Sequence, residues 1–125
     1  MKILIIGSLY WPFTYHKVIK RWIAKVPSNA LVITDGTQSA SRVAKTFAQL
    51  RNLKLKSYNR KKFSSVVNSC MFTRLIIDVE KPDLVLYFWY HHQTYLYDSY
   101  LIDYLIKQKY RFYIINCFGK CYNLK

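Results

Sequence analysis

The chain has 125 residues, of which 52% are hydrophobic, and its 20 Lys and Arg residues against 6 Asp and Glu residues give a formal net charge of +14. This length fits one domain over residues 1–125, and the hydrophobic content excludes a disordered polypeptide. No apolar run approaches the roughly 20 residues of a membrane-spanning helix, so we expect a soluble domain with no membrane insertion. The cation excess favours a polyanionic partner such as RNA or DNA; codon bias toward lysine is the alternative, but it does not explain the scarcity of acids.

Apolar runs alternate with amphipathic helical segments along the whole chain. The predicted strands are 2–6, 30–33, 53–56, 84–89 and 110–116, and the predicted helices are about 13–25, 40–52, 63–79 and 95–109. This alternation predicts an α/β domain with a three-layer Rossmann-like fold and a five-stranded parallel sheet. Residues 3–6 and 84–88 are apolar on both faces, so we place them at the centre, whereas 53–56 alternates and suits an edge. Residues 117–125 have no clear pattern.

A polar turn over residues 35–41 leads from the second predicted strand into the second helix. A helix N-terminus presents unbonded backbone N–H groups and a partial positive charge, and both attract an anion. A phosphate-bearing ligand is therefore one interpretation of this turn. The alternative is that Thr37, Ser39 or Ser41 simply caps the helix.

The carboxyl ends of parallel strands are where open α/β sheets bind ligands. Gly7 and Gly36 directly follow strands, where the backbone must turn sharply or approach a ligand. Hydroxyl donors at the same edge come from Ser8, Thr37, Ser39 and Ser41. Trp11 has a ring that suits stacking on a base, and packing in the core is its alternative role.

The cysteines are Cys70, Cys117 and Cys121, an odd number without the spacing of a disulfide scaffold. We therefore expect reduced thiols and a reducing intracellular compartment, the cytoplasm or an organelle matrix, with a virion as the alternative. Cys117 and Cys121 lack a convincing second pair of metal ligands, since His91 and His92 are the only nearby residues of a suitable type. We predict no metal site and no cofactor.

Several of these segments together resemble a known family. These segments are residues 1–8 with Trp11, the turn and helix at 35–44, Asn68 with Met71, and residues 81–86. They resemble the SLOG superfamily of Rossmann-like domains, in particular its YspA-like (DUF2493) branch. The resemblance covers nearly the whole chain. It implies a nucleotide-like ligand at the carboxyl edge of the sheet. It also adds Asp35, Arg42, Asn68 and Thr94 to the candidate ligand-binding residues.

The phosphate loops of this family are altered here. Asp35, Ser39 and Ser41 stand where the family has two glycines and an acid, and the loop at 90–94 keeps only Thr94. A related branch of phosphoribohydrolases uses an Arg and a Glu near this second loop, but no acid lies between Asp83 and Asp98. The resemblance therefore implies binding without catalytic residues.

Three functions are compatible with this pattern. The first is a non-catalytic domain that binds a nucleotide or a nucleic-acid phosphate. The second is a basic structural subunit of a nucleoprotein assembly, a ribosome-like particle or a virion, with protein partners, and the third is a nucleotide N-glycosidic hydrolase. The oligomeric state stays open. The candidate nucleic-acid-binding residues are Lys17, Lys20 and Arg21 on the first helix and Arg60, Lys61 and Lys62 in the loop after the third strand.

Overall fold

A computed structural model describes residues 1–36, 40–58, 66–90 and 96–122, and within these residues one six-stranded sheet forms the centre of an α/β fold. Its strands are β1 (Lys2–Gly7), β2 (Leu31–Thr34), β3 (Lys54–Ser57), β4 (Leu84–Trp89), β5 (Phe112–Asn116) and β6 (Cys121–Tyr122). The helices are α1 (His16–Ala24), α2 (Ala40–Leu50), α3 (Val66–Glu80) and α4 (Leu96–Lys107). The first predicted helix begins later than expected, because Phe13–Tyr15 forms a 3-10 turn that leads into α1. None of these helices is long and apolar enough to cross a membrane.

The strand order is β3-β2-β1-β4-β5-β6, and β1 to β5 are parallel. Ile3 of β1 pairs with Val32 of β2 on one side and with Leu84 of β4 on the other. The predicted central positions of β1 and β4 and the predicted edge position of β3 are therefore confirmed. The order β3-β2-β1-β4-β5 is that of the Rossmann fold.

The prediction of a five-stranded, wholly parallel sheet is wrong in one respect. β6 is a sixth strand that pairs antiparallel with β5. A tight turn joins them, in which the Asn116 Oδ1 atom accepts hydrogen bonds from the backbone N–H groups of Phe118 at 3.0 Å and Lys120 at 2.9 Å. Gly119 has a φ of +85°, which glycine adopts at little cost. A strand of two residues is too short to show alternation in the sequence.

Alternate residues of β1 enter two separate cores, one on each face of the sheet. Ile3 and Ile5 pack with α1 and α2, whereas Leu4 and Ile6 pack with α3 and α4. This explains why β1 is apolar at every position, since a strand between two helical layers has no face in water.

Helix α2 lies close to the sheet because small residues form its inner face. Ala40, Ala44 and Ala48 are fully buried there. A Cβ atom on Gly7 would lie 2.8 Å from the Cβ of Ala40 and 2.5 Å from the carbonyl oxygen of Phe88. Gly7 is thus required for the close approach of α2 to β1 and β4.

Candidate functional site

The order of the parallel strands changes direction between β1 and β4, and such a point is where Rossmann-like folds open a crevice. On the α1/α2 side of this point, the segment after β1, the start of α1 and the first two turns of α2 line an open cavity of about 480 Å³. This volume falls within the range of small-molecule sites. The residues that line the cavity are Leu9, Tyr10, Trp11, His16, Arg42, Val43, Thr46 and Phe47.

Two nitrogen-bearing side chains reach this cavity from different helices. Arg42 lies in the first turn of α2 and is exposed, and its guanidinium forms no hydrogen bond or ion pair with the residues that the structure describes. His16 is the first residue of α1, and its ring centroid lies 4.8 Å from that of Phe13. A guanidinium in this position can form two parallel hydrogen bonds to a phosphate or carboxylate.

The aromatic residues near the cavity differ in exposure. Tyr10 is 50% exposed, whereas Trp11 is only 6% exposed. The Trp11 Nε1–H donates a hydrogen bond to the carbonyl oxygen of Tyr15 at 3.0 Å, and its ring packs edge-on against Phe88. Trp11 therefore packs in the core and also lines the cavity. Tyr10 has the more accessible ring.

The predicted ligand donor Ser8 is fully buried and contacts protein atoms. Its Oγ atom lies 3.2 Å from both carboxyl oxygens of Asp98 and accepts a hydrogen bond from the backbone N–H of Tyr90 at 2.9 Å. The Tyr87 hydroxyl also donates to Asp98. Burial raises the pKa of the Asp98 carboxyl, and the hydrogen bonds from Tyr87 and Ser8 act in the opposite direction. Ser8 thus links the carboxyl end of β1 to α4 in the protein interior.

Two further predicted residues of the turn after β2 are also directed inward. Asp35 is fully buried, and its Oδ2 atom accepts a hydrogen bond from the Thr73 hydroxyl of α3 at 2.8 Å. Ser41 donates to the carbonyl oxygen of Ile5 at 3.2 Å and so holds α2 against β1. Gly36 has a φ of +78°, which satisfies the expected sharp turn. Among these neighbours, Arg42 is the predicted residue that faces the cavity.

Other predicted residues lie outside the described part of the chain. These are Thr37, Ser39, Arg60, Lys61, Lys62 and Thr94, together with His91 and His92. Asn68 belongs to α3, but its side chain is not described. Cys70 and Cys117 are buried and Cys121 is exposed. The described residues contain no group of three metal-ligating side chains.

The sequence interpretation missed six residues that line the cavity, namely Leu9, Tyr10, His16, Val43, Thr46 and Phe47. A signal existed for Thr46, because it follows Arg42 by one helical turn, and its hydroxyl donates to the Arg42 carbonyl oxygen at 3.2 Å. No local pattern could place His16 there, since its position depends on how α1 packs beside α2.

The other cations predicted to bind nucleic acid on α1 are exposed. Lys17, Lys20 and Arg21 form no ion pair or hydrogen bond within the described ranges, and the same holds for Lys45 of α2. These side chains carry positive charge on α1 and α2 that the described protein does not neutralise.

Comparisons with known proteins add little to this description. No known protein family and no curated protein sequence matches the chain. Among solved structures, the chain is similar to the crystal structure of a phosphoribosylglycinamide formyltransferase from Brucella melitensis, with a TM-score of 0.45 and 20% identity. The match covers 92% of this chain and 55% of that one, so the chain spans about half the length of the enzyme. The assignment of an α/β, Rossmann-like fold rests on the strand order described above.

Proposed function

We propose that this chain is a non-catalytic domain that binds the phosphate of a nucleotide or nucleic acid beside the carboxyl edge of its parallel sheet. The observation that carries the proposal is the cavity in which Arg42 and His16 meet the rings of Tyr10 and Phe47. A guanidinium is suited to a phosphate, and aromatic rings are suited to a base or a sugar face. A nucleotide offers both parts in one ligand.

The positions of the carboxyl groups support binding without catalysis. The residues known to line the cavity, 9–11, 16, 42, 43, 46 and 47, include no Asp or Glu. Asp35 and Asp98 lie at the same edge of the sheet, but both are buried and accept hydrogen bonds from Thr73, Ser8 and Tyr87. The cavity offers His16 as an acid or base, but it lacks the carboxyl groups that hydrolysis of a glycosidic bond normally uses. We therefore rank the hydrolase last.

We also propose that the domain is a SLOG-like one of the YspA-like branch. The Rossmann strand order supports this interpretation, and so does the position of Arg42, the residue retained from the family's first phosphate loop. The family's ligand sits against glycines, whereas Asp35 stands at the first of these positions and is buried here. We propose that the phosphate site has moved toward Arg42 and the α1/α2 side.

Isothermal titration calorimetry tests the proposed function with adenosine monophosphate, adenosine and inorganic phosphate as probes. We expect saturable binding of the monophosphate, with a dissociation constant that rises about tenfold or more in Arg42→Gln, because a hydrogen bond to a charged group is lost. Arg21→Gln is the matched control, since Arg21 is an exposed arginine outside the cavity and the same charge is removed. Equal affinity for the wild type and the folded Arg42→Gln variant would refute the proposed site.

The second candidate function is a basic structural subunit of a nucleoprotein assembly. The observation that favours it is the set of exposed cations on α1, which would contact a nucleic-acid backbone without any use of the cavity. Such a subunit would bind oligonucleotides but would show no saturable binding of adenosine monophosphate.

A reducing compartment remains part of the proposal. Burial raises the pKa of the Cys117 thiol. A raised pKa lowers the thiolate fraction and slows oxidation. Titration of the denatured, non-reduced protein is expected to find three thiols. A disulfide between Cys117 and Cys121 would contradict the assignment to a reducing compartment.

A further inference from the structure

We propose that the α1/α2 face binds single-stranded nucleic acid along a row of cations that leads away from the cavity. The cation row consists of Lys17, Lys20 and Arg21 on α1 and Arg42 and Lys45 on α2. This inference rests on the proposed phosphate site and extends it from one nucleotide to a strand. The phosphates would follow the cation row, and the bases would stack on exposed rings beside the cavity.

The helical spacing places a further cation one turn from a cavity residue on each helix. Lys20 follows His16 by four residues, and Lys45 follows Arg42 by three, so each lies about 5.4 Å, one turn, from a residue of the cavity. Helices α1 and α2 pack against each other on the same face of the sheet. A polyanion that enters the cavity with one phosphate therefore meets further cations within one helical turn.

The charge of the cation row is not neutralised by the described protein. Its five side chains form no ion pair and no hydrogen bond with residues that the structure places. Asp35 is the only acidic residue of the sequence before Asp78, and it is fully buried. Phosphate binding to such a surface releases condensed counterions from the nucleic acid, which is the main source of sequence-independent affinity.

Other cations on this face are already used by the fold and do not belong to the cation row. The Arg51 guanidinium donates to the carbonyl oxygens of Ile23 at 2.5 Å and Val26 at 2.9 Å, so it joins the end of α2 to that of α1. The Lys25 ammonium lies 4.9 Å from the centre of the Trp22 ring. Arg51 and Lys25 therefore stabilise the protein, whereas the cation row is available to a ligand.

Exposed aromatic rings favour a single strand over a duplex. Phe13 is 84% exposed and Tyr10 is 50% exposed, and the Phe13 ring lies beside His16 at the start of α1. Unpaired bases stack on such rings, whereas a duplex keeps its bases in the helix and offers mainly phosphates to a cationic surface. Cations beside exposed aromatic rings are the combination with which proteins bind single strands with little sequence preference.

Fluorescence anisotropy with labelled oligothymidine and oligouridine of about 12 nucleotides, and with a duplex of equal length, tests the inference. We expect the single strands to bind more tightly than both the duplex and adenosine monophosphate. In the triple variant Lys17→Ala, Lys20→Ala, Arg21→Ala the affinity should fall about tenfold or more at low salt. The slope of log affinity against log salt should become about 2 units shallower, since each phosphate contact contributes about 0.7.

The matched control removes three cations elsewhere on the protein: Lys81→Asn, Lys107→Ala and Lys109→Asn. Lys81 and Lys109 have φ values of +46° and +58°, a region that asparagine tolerates, so the fold is preserved. We expect the control to bind oligothymidine within about twofold of the wild type. An equal loss in both triple variants would mean that net charge alone drives binding and would overturn the inference.

The stacking step has its own test in Phe13→Ala. This variant should lose affinity for single strands about fivefold or more and should bind the duplex as the wild type does, because only unpaired bases reach the ring. Binding of adenosine monophosphate with no tighter binding of any oligonucleotide would overturn the inference and leave the proposed function intact. Oligonucleotide binding through the cation row without binding of the monophosphate would refute the cavity, and with it the inference as stated, in favour of the second candidate function.

Discussion

The two faces of the sheet differ in whether their charged residues have partners within the protein. On the α1/α2 face, the cation row has no acidic partner among the described residues. The acids other than Asp35 come from α3, α4 and the segment between α3 and β4, and they are Asp78, Glu80, Asp83, Asp98 and Asp103. Each of these acids contacts a cation, a tyrosine or a backbone N–H group.

Glu80 shows what an acid does on the second face. It is 4% exposed, and its carboxylate lies 2.6 Å from the Lys56 ammonium and 3.5 Å from that of Lys2. The Tyr58 hydroxyl donates to the same carboxylate. One acid thus holds the ends of β1, β3 and α3 together. Cations near an acid therefore contribute to the fold, whereas those of the cation row have no acidic partner among the residues that the structure describes.

The two faces also differ in how closely their helices pack. Helix α2 approaches the sheet through alanines, whereas the inner face of α3 carries Ile76 and Ile77. These isoleucine side chains occupy more space between helix and strands than the alanines of α2 do. The structure therefore has little room for added atoms on the α2 side.

The largest expected effect is that of Gly7→Ala, which breaks the close packing of α2. The added methyl group would lie 2.5 Å from the Phe88 carbonyl oxygen, and we expect the free energy of unfolding to fall by about 3 kcal/mol. Urea denaturation measures this change. Ser99→Thr adds one methyl group on the exposed side of α4 and should change stability by less than about 0.5 kcal/mol. Equal stabilities of the two variants would contradict the packing difference.

The next largest effect is expected for Glu80→Ala, which removes the acid that joins three elements. The free energy of unfolding should fall by about 2 kcal/mol, because Tyr58 loses a buried hydrogen-bond acceptor and Lys56 loses its ion pair. Lys20→Ala on the opposite face should cost less than about 0.5 kcal/mol, since Lys20 is exposed. A cost for Lys20→Ala as large as that for Glu80→Ala would show that the cation row also stabilises the fold.

The buried carboxyls of Glu80 and Asp98 are expected to give opposite pH dependences. The Lys56 ammonium and the Tyr58 hydroxyl lower the pKa of Glu80, so its contribution to stability is present above 4.5 and is lost as the pH falls through the folded value. Burial raises the pKa of Asp98, so its contribution is present below 3.8 and is lost as the pH rises through the folded value.

Chemical denaturation across this acidic range measures both effects. Relative to the wild type, Glu80→Gln should lose less stability as the pH falls, and Asp98→Asn should lose less as the pH rises. Changes of the same sign in the two variants would contradict the assigned environments.

The smallest expected effect on stability comes from reversing one charge of the cation row. Lys17→Glu places an acid four residues before Arg21 in the first turn of α1, where the pair and the helix dipole both favour it. We expect stability to rise by about 0.5 kcal/mol at low salt, with the gain lost at high salt, whereas oligonucleotide binding should weaken. Lys17→Gln is the control and should gain less. A loss of stability in Lys17→Glu would show that the cation row is not self-repelling.

The sequence by itself determined the layers of this protein. Continuous apolar runs marked β1 and β4 as central strands, because only a strand covered on both faces can be apolar at every position. The alternation in 53–56 marked β3 as an edge, since one of its faces is in water. The family resemblance also gave Arg42 as a candidate ligand residue, and Arg42 lines the cavity. Each of these features depends on residues that are close together in the chain, so the sequence alone predicts it.

The tertiary structure alone decided which polar residues remain open to a ligand. Ser8 and Asp98 are 90 residues apart in the chain, and their hydrogen bond turns a predicted ligand donor into a buried contact. Asp35 is turned inward in the same way by Thr73, which comes 38 residues later. The strand β6 and the cavity between α1 and α2 likewise depend on elements that meet only after folding. Periodicity describes one element at a time, whereas these features exist only where two elements pack together.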